Sequence, residues 1–303
     1  MIVELPDTTT TAISKRLNAL REQVGAVTMG RVLTLIIALE TDALLDESVA
    51  AANIAGQEHP SRVIVVIAGD AAPGESRLDA QLRLFGDAGA GEVVVLRLSG
   101  PLAAHADAVV VPLLLPDIPV VAWWPQTAPQ APAADPLGRL AVRRITDATN
   151  VADPLAAIRS RLTGYRPGDT DLAWSRITYW RALLASALDE PPYLPINAAV
   201  VSGLAGEPAL DVLAGWLASR IDGPVHRLVG DLRIELVRDG DTVSLSRPQD
   251  GTTATLRRTT KPDALIPLPR RDTSECLAED LRRLDPDVIY GAALRGMERV
   301  DYR

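Results

Sequence analysis

The chain has 303 residues, enough for one large or two ordinary domains around a substantial buried core. Its formal net charge of −8, with no Lys/Arg-rich run, leaves it without the electrostatic footprint of a nucleic-acid binder. A single cysteine, Cys276, excludes an intrachain disulfide and a cysteine-based metal cluster and fits a reducing cytoplasm.

The opening MIVELPDTTT has no basic stretch followed by an apolar one, so no signal peptide is read there. The longest apolar run is interrupted by Pro112, Pro116, Asp117 and Pro119, which makes a poor membrane span. A soluble protein is expected. With 47% hydrophobic but only 4% aromatic residues, the core must be mostly Ala, Val, Leu and Ile, and the five Trp are its rare large pieces. Lys15 and Lys261 are the two lysines, and neither sits in a Schiff-base or phosphate-loop motif.

In chain order, Ile13, Leu17, Leu20 and Val24 recur at helical spacing and predict an amphipathic helix. Arg31 to Leu39 predicts a buried strand, Asp42 to Gln57 an Ala-rich helix and Arg62 to Ala68 a second buried strand, together a right-handed crossover unit. Leu78 to Phe85 and Glu92 to Leu98 are expected to form a hairpin. Gly86, Gly89 and Gly91 between them have the dinucleotide-binding glycines in the wrong order, before a strand instead of a helix, and are read as a turn. Pro101 to Leu115 is expected to be a helix feeding the strand Val120 to Trp124.

That strand, VVAWW, is continuously apolar and suits a parallel sheet covered on both faces. Alternation sends Trp123 and Trp124 to opposite faces. Either both indoles are core, or one is half exposed at the carboxyl end of the strand, where doubly wound folds place ligands and partners. The Pro-rich stretch from Gln126 to Pro136 is a semi-rigid surface loop. Arg143 to Thr146 predicts a short strand and Asp153 to Leu162 a helix with an Asp cap and Pro in its first turn.

The preferred boundary is GYRPG, Gly164 to Gly168, giving an N-terminal α/β domain over 1–165 and a C-terminal α+β domain over 166–303. The fold class expected is α/β, a mainly parallel sheet covered by helices, followed by a domain with an antiparallel meander. In the second half, Asp171 to Leu188 predicts one amphipathic helix with Ile177, Trp180, Leu184 and Leu188 inward. Asn197 to Val201 predicts a strand and Glu207 to Ile221 a helix. The period then changes to two around Asp239-Gly240 and Asp250-Gly251, which predicts a meander with one wet face. A helix from Thr273 to Leu284 is expected to cover its dry face.

The residues offer little chemistry. His59, His105 and His226 fall in no metal-ligand spacing, Ser61 lacks a nucleophile elbow, and no catalytic, cofactor or metal residues are nominated. What stands out is Arg at element ends: Arg62, Arg143, Arg144 and Arg176. Guanidinium forks suit phosphate or carboxylate recognition and protein interfaces alike, while an ion-pair web with Glu58 and Asp147 is the structural alternative.

Four motifs then combine. His59-Pro60-Ser61-Arg62, the LPDIPVVAWWP stretch, Arg143-Arg144-Ile145-Thr146-Asp147, and the run DLAWSRITYWR from Asp171 to Arg181 resemble, in the same order, the glucose-6-phosphate dehydrogenase assembly (OpcA) family. The Ala-rich, Lys-poor composition is similar to its actinobacterial branch. The resemblance implies a cytoplasmic, non-catalytic partner that promotes oligomerisation and allosteric activation of glucose-6-phosphate dehydrogenase, the entry to the oxidative pentose phosphate pathway. It implies no cofactor. Cyanobacterial members of the family are associated with thioredoxin-dependent thiol control, which a chain with Cys276 alone cannot reproduce through an internal disulfide.

Binding hot spots are enriched in Trp, Tyr and Arg. Partner-binding candidates are therefore Arg62, Trp123, Trp124, Arg143, Arg144, Asp147, Arg176, Tyr179, Trp180 and Arg181. The competing function is binding or transforming a small phosphorylated metabolite through Arg62, Arg143 and Arg144 at the carboxyl edge of the sheet.

Overall fold

A computed structural model of the chain describes residues 1–24, 31–69, 74–84, 91–259 and 261–303. The side chain of Val24 and most of the Gly86–Gly91 segment read as a turn lie outside the described residues. The chain divides into two compact units, one of Met1–Asp147 with Thr273–Pro286, the other of Ala148–Asp272 with Asp287–Arg303.

The first unit contains β1 (Ile2–Leu5), α1 (Thr10–Val24), β2 (Leu33–Leu39), α2 (Leu45–Glu58), β3 (Ser61–Ala68), β4 (Arg77–Leu84), β5 (Glu92–Ser99), α3 (Ala106–Val110), β6 (Val120–Trp124), α4 (Pro136–Leu140) and β7 (Arg143–Thr146). Its strands run in the order β1-β4-β5-β3-β2-β6-β7. β5, β3, β2, β6 and β7 are mutually parallel, and β4 returns antiparallel to β5 as the expected hairpin. From β2 the chain builds outward through β3 to β5 on one side, then crosses back to place β6 and β7 on the other. The gap between β2 and β6 is thus a topological switch point.

Alternation along these buried strands separates two faces. Ile36, Ile64, Val66, Val94, Leu96, Ala122 and Trp124 pack with Ile13, Leu17 and Leu20 of α1 and with Val109, Val110 and Leu137. Trp123, in register with Ile37 and Ile145, points to the other face. Both indoles are buried, at 1% and 4% exposure, so the reading in which one is half exposed gives way to the reading in which both are core.

Pro101 to Leu115 is not the continuous helix expected. It is a 3-10 segment Gly100–His105, the single turn and a half of α3, and a second 3-10 segment Val111–Leu113. Pro112 supplies the reason, because it has no N–H to donate and its ring crowds the carbonyl one turn back.

The helix near Cys276, α9 (Thr273–Arg282), packs on α2 in the first unit and does not cover the meander. Its inward side presents Cys276, Leu277 and Leu281.

The second unit contains α5 (Pro154–Gly164), β8 (Asp169–Asp171), α6 (Leu172–Arg176), α7 (Thr178–Leu188), β9 (Ala198–Gly203), α8 (Pro208–Ala218), β10 (Val225–Val229), β11 (Arg233–Arg238), β12 (Asp241–Ser246), β13 (Thr253–Arg258), β14 (Lys261–Pro267), α10 (Val288–Gly296) and β15 (Val300–Tyr302). Its seven-stranded sheet runs β14-β13-β12-β11-β9-β10-β15, antiparallel from β14 to β9 and parallel from β9 to β15. The two-residue connection Asp239-Gly240 joins β11 to β12, with Gly240 at φ +68° supplying the positive φ such a turn needs.

Along β11 and β12, Ile234, Leu236, Val243 and Leu245 are buried between more accessible polar residues, the wet-face pattern the sequence predicts. The dry face is closed by α6, α7, α8 and α10, through Trp174, Ile177, Trp180, Leu184, Leu213, Tyr290 and Leu294. Asp171 to Leu188 is two helices broken at Ile177 (φ −98°, ψ 7°), although Ile177, Trp180 and Leu184 keep the inward side expected of them.

Candidate functional site

The arginines singled out in the first unit lie at the wrong end of the sheet for the metabolite reading. Arg62 is the second residue of β3, and Arg143 and Arg144 open β7, so all three stand at the amino ends of parallel strands. Arg62 Nε lies 3.0 Å from Glu92 Oε1, and its Nη1 donates to Leu113 O at 2.5 Å. Glu92, itself 1% exposed, also accepts from Arg21 at 2.7 and 2.8 Å and from Arg31 at 3.0 Å. Burial lowers the Arg62 pKa to about 10 despite that carboxylate, with Arg21 and Arg31 adding to the depression. Arg62 remains a cation at neutral pH.

Arg143 donates through Nη2 to Asp280 on α9 and through Nη1 to Asp285 O at 3.1 Å. Arg144 donates to Ala141 O at 2.8 Å, and Asp147 is 1% exposed. The ion-pair reading therefore holds for Arg62 and Arg143, whose carboxylate partners are Glu92 and Asp280. Glu58 instead meets Arg282 at 2.8 Å on the surface. Glu92 was legible as a partner, since it opens β5 and stands in register with Arg62.

In the second unit, Trp174 and Trp180 are core, at 3% and 5% exposure. The Trp174 indole donates to Asp287 Oδ2 at 2.8 Å, and the Arg181 guanidinium lies 3.4 Å from the centre of its ring. Arg181 also donates to Thr178 Oγ1 at 2.9 Å. Arg176 is half-buried, whereas Tyr179 is 47% exposed with Arg271 stacked 4.9 Å from its ring centre.

The carboxyl edge of the first sheet has its own feature. At the switch point the ends of β2, β3 and β6 open into a crevice of about 420 Å³ lined by Leu39, Ala68, Trp124, Ala103, Ala106 and the loop beyond Trp124. Its polar lining groups are Glu40, Thr127 and Asp135. Thr127 donates to Glu40 Oε2 at 3.3 Å, tying the loop to the end of β2.

That loop is fixed by short-range physics. Asp135 accepts from the amides of Leu137 and Gly138 at 2.9 and 3.3 Å, capping α4, and Pro136 takes the first helical position where its missing N–H costs nothing. A Cβ on Gly138 would lie 1.8 Å from Pro132 O and 3.3 Å from Trp124 Cη2, so only glycine lets the loop close over the indole.

The sequence singles out Trp124 and the Pro-rich loop that contains Thr127, but not Glu40, which sits in no motif and meets Thr127 only through the fold. Among the described residues no group of three His, Cys, Asp or Glu could hold a metal ion, and no helix is long and apolar enough to cross a membrane.

Comparison with known proteins places these elements. Residues 52–163 match the family profile described as glucose-6-phosphate dehydrogenase subunit N-terminal domain (OpcA_G6PD_assem), and residues 167–294 match the corresponding C-terminal domain profile. A curated protein of Synechococcus elongatus named "Putative OxPP cycle protein OpcA" is 30% identical over 138 residues, 43% of this chain and 31% of the relative. The match thus spans about a third of that relative's length. Among solved structures, an aldose-aldose oxidoreductase from Caulobacter crescentus aligns over 88% of this chain and 96% of its own at 12% identity and a TM-score of 0.47. With the two profiles meeting between residues 163 and 167 and together spanning most of the sequence, the chain belongs to the OpcA family of glucose-6-phosphate dehydrogenase assembly proteins.

Proposed function

We propose that the chain is a non-catalytic assembly and allosteric activation factor for glucose-6-phosphate dehydrogenase, acting at the entry to the oxidative pentose phosphate pathway. The observation that carries this reading is the match of both halves, in order, to the two domains of the assembly family. The same match supports two functional modules dividing near residue 166. The composition keeps the actinobacterial branch as our reading, and the proposed partner places the chain in the cytoplasm.

The geometry favours this reading over metabolite binding. Arg62 and Arg143, which would have bound a phosphate, are buried against Glu92 and Asp280 at the amino ends of the strands. The crevice at the carboxyl ends is lined by small apolar groups and two carboxylates, a poor receptor for an anion.

We propose further that each unit offers its own partner-binding surface, the first at this carboxyl edge with its Pro-rich loop, the second at Tyr179 on α7. A rigid loop loses little entropy on docking, and an exposed Tyr beside Arg is typical hot-spot chemistry. The test is to titrate the purified chain into dehydrogenase and follow NADP reduction. Saturable activation by the parent, a tenfold or greater loss in Tyr179→Ala at unchanged melting temperature, and no reduction by the chain alone are the expected results. NADP reduction by the chain alone would overturn the non-catalytic reading.

A further inference from the structure

The crevice at the switch point has a one-sided chemistry. At about 420 Å³ it is within the size range of ligand pockets, roughly 300–1,000 Å³. Its walls are the methyl groups of Ala38, Ala68, Ala103 and Ala106 and the indole of Trp124, and no Lys, Arg or His is found among its described lining residues. Asp135 is committed to the amides that start α4. Glu40 is exposed at the mouth and accepts one hydroxyl, from Thr127. A carboxylate has about four acceptor sites, so among the described residues most of its capacity is open.

Three kinds of occupant can be weighed. An anion would bring a third negative charge to a site with two carboxylates and no cation. A purely apolar group would strip water from Glu40 and return no hydrogen bond, which is costly. A long basic side chain satisfies both parts of the site: its methylenes cover the alanine surface beside the buried edge of the indole, as such stems do elsewhere, while the cation reaches the carboxylate.

We propose that the crevice receives a lysine or arginine side chain of a protein partner, its aliphatic stem against Trp124 and the alanines and its cation at Glu40. The inference rests on the assembly reading for the partner's identity, which makes the side chain one from the dehydrogenase. The site itself is defined by this chain alone.

The test has two arms. In the first, the full chain carrying 5-fluorotryptophan is titrated with Nα-acetyl-arginine N-methylamide, and the fluorine signal of Trp124 is identified by its loss in Trp124→Phe. A saturable shift is expected, at least tenfold weaker for the neutral norleucine analogue, and at least fivefold weaker in Glu40→Gln at unchanged melting temperature. An equal response to the norleucine analogue or to Nα-acetyl-glutamate N-methylamide, titrated in the same way, or undiminished binding by Glu40→Gln, overturns the proposal. In the second arm, Glu40→Lys is compared with the parent for dehydrogenase binding, and a tenfold or greater loss is expected. Parent-like binding by Glu40→Lys overturns the proposed docking role and leaves the assembly reading standing. If the parent fails to bind dehydrogenase while the arginine probe behaves as expected, the assembly reading falls and the crevice's preference for a basic side chain stands.

Discussion

Arg143 at the head of β7 donates to the carboxylate of Asp280 on α9, and both side chains are almost wholly buried. The two residues are 137 apart in sequence, and their pairing helps hold the late segment 273–286 to the first unit. Two charges out of water are tolerable only because each answers the other. Removing one leaves the other uncompensated, which typically costs about 3–5 kcal/mol. Asp280→Ala is therefore expected to lower the urea-unfolding free energy by about that much. A loss under about 1 kcal/mol would show that the pair does not hold the segment.

A buried pair in the second unit gives a pH dependence. Asp211 on α8 meets Arg227 on β10 at 3.1 Å, yet burial outweighs the attraction and raises the Asp211 pKa to about 6. The folded protein holds this proton up to about pH 6, while the unfolded chain releases it near pH 4. The carboxyl's stabilising contribution is thus complete below about pH 4 and declines as pH rises to about 6. Its span is about 2–3 kcal/mol. In Asp211→Asn this slope should vanish, so the stability difference between parent and variant should fall by that amount between pH 4 and pH 7. Denaturant unfolding at both values checks it. A difference that is flat or rises with pH contradicts the assignment.

How far the sequence foretells these relationships depends on their range. The strand Val120–Trp124, the β4–β5 hairpin and the Asp239-Gly240 turn are written in short-range pattern and turn chemistry, and each is present. The break at Ile177 and the splitting of 101–115 are also local, but helical periodicity conceals them. Pro112 was the available sign. The placement of α9 on α2 was not legible, because an apolar face fits any dry surface and its buried partner, Arg143, lies in another part of the chain. The strand-end arginines teach the opposite lesson. Arg62, Arg143 and Arg144 open their strands in the sequence itself, so their place at the amino ends could have been read from chain direction alone.

The closed Pro-rich loop makes a sharp prediction at Gly138. Alanine there would drive its methyl group into Pro132 O, which is backbone and cannot swing aside. Overpacking of this kind costs about 1–3 kcal/mol. Gly138→Ala should be destabilised by at least the middle of that range and should show an altered Trp124 environment by fluorescence. Parent-like stability and emission would mean the loop is not closed on the indole as described.

Cys276 is buried on the inward side of α9. A thiol without solvent access reacts only when its surroundings open. An aromatic disulfide reagent should therefore modify it slowly in native buffer and rapidly in denaturant, and reductant should leave melting temperature and dehydrogenase activation unchanged. Fast native modification, or activation that requires reductant in the parent and not in Cys276→Ser, would place redox control on this residue.

The central claim is that this chain assembles with glucose-6-phosphate dehydrogenase. Mass photometry of the purified chain, the purified dehydrogenase and their mixture tests it most directly. The account predicts a new species whose mass equals a whole number of dehydrogenase subunits plus at least one copy of this 32.3 kDa chain, appearing together with increased NADP reduction. A mixture that shows only the two separate components across the concentrations where activity is assayed would contradict it.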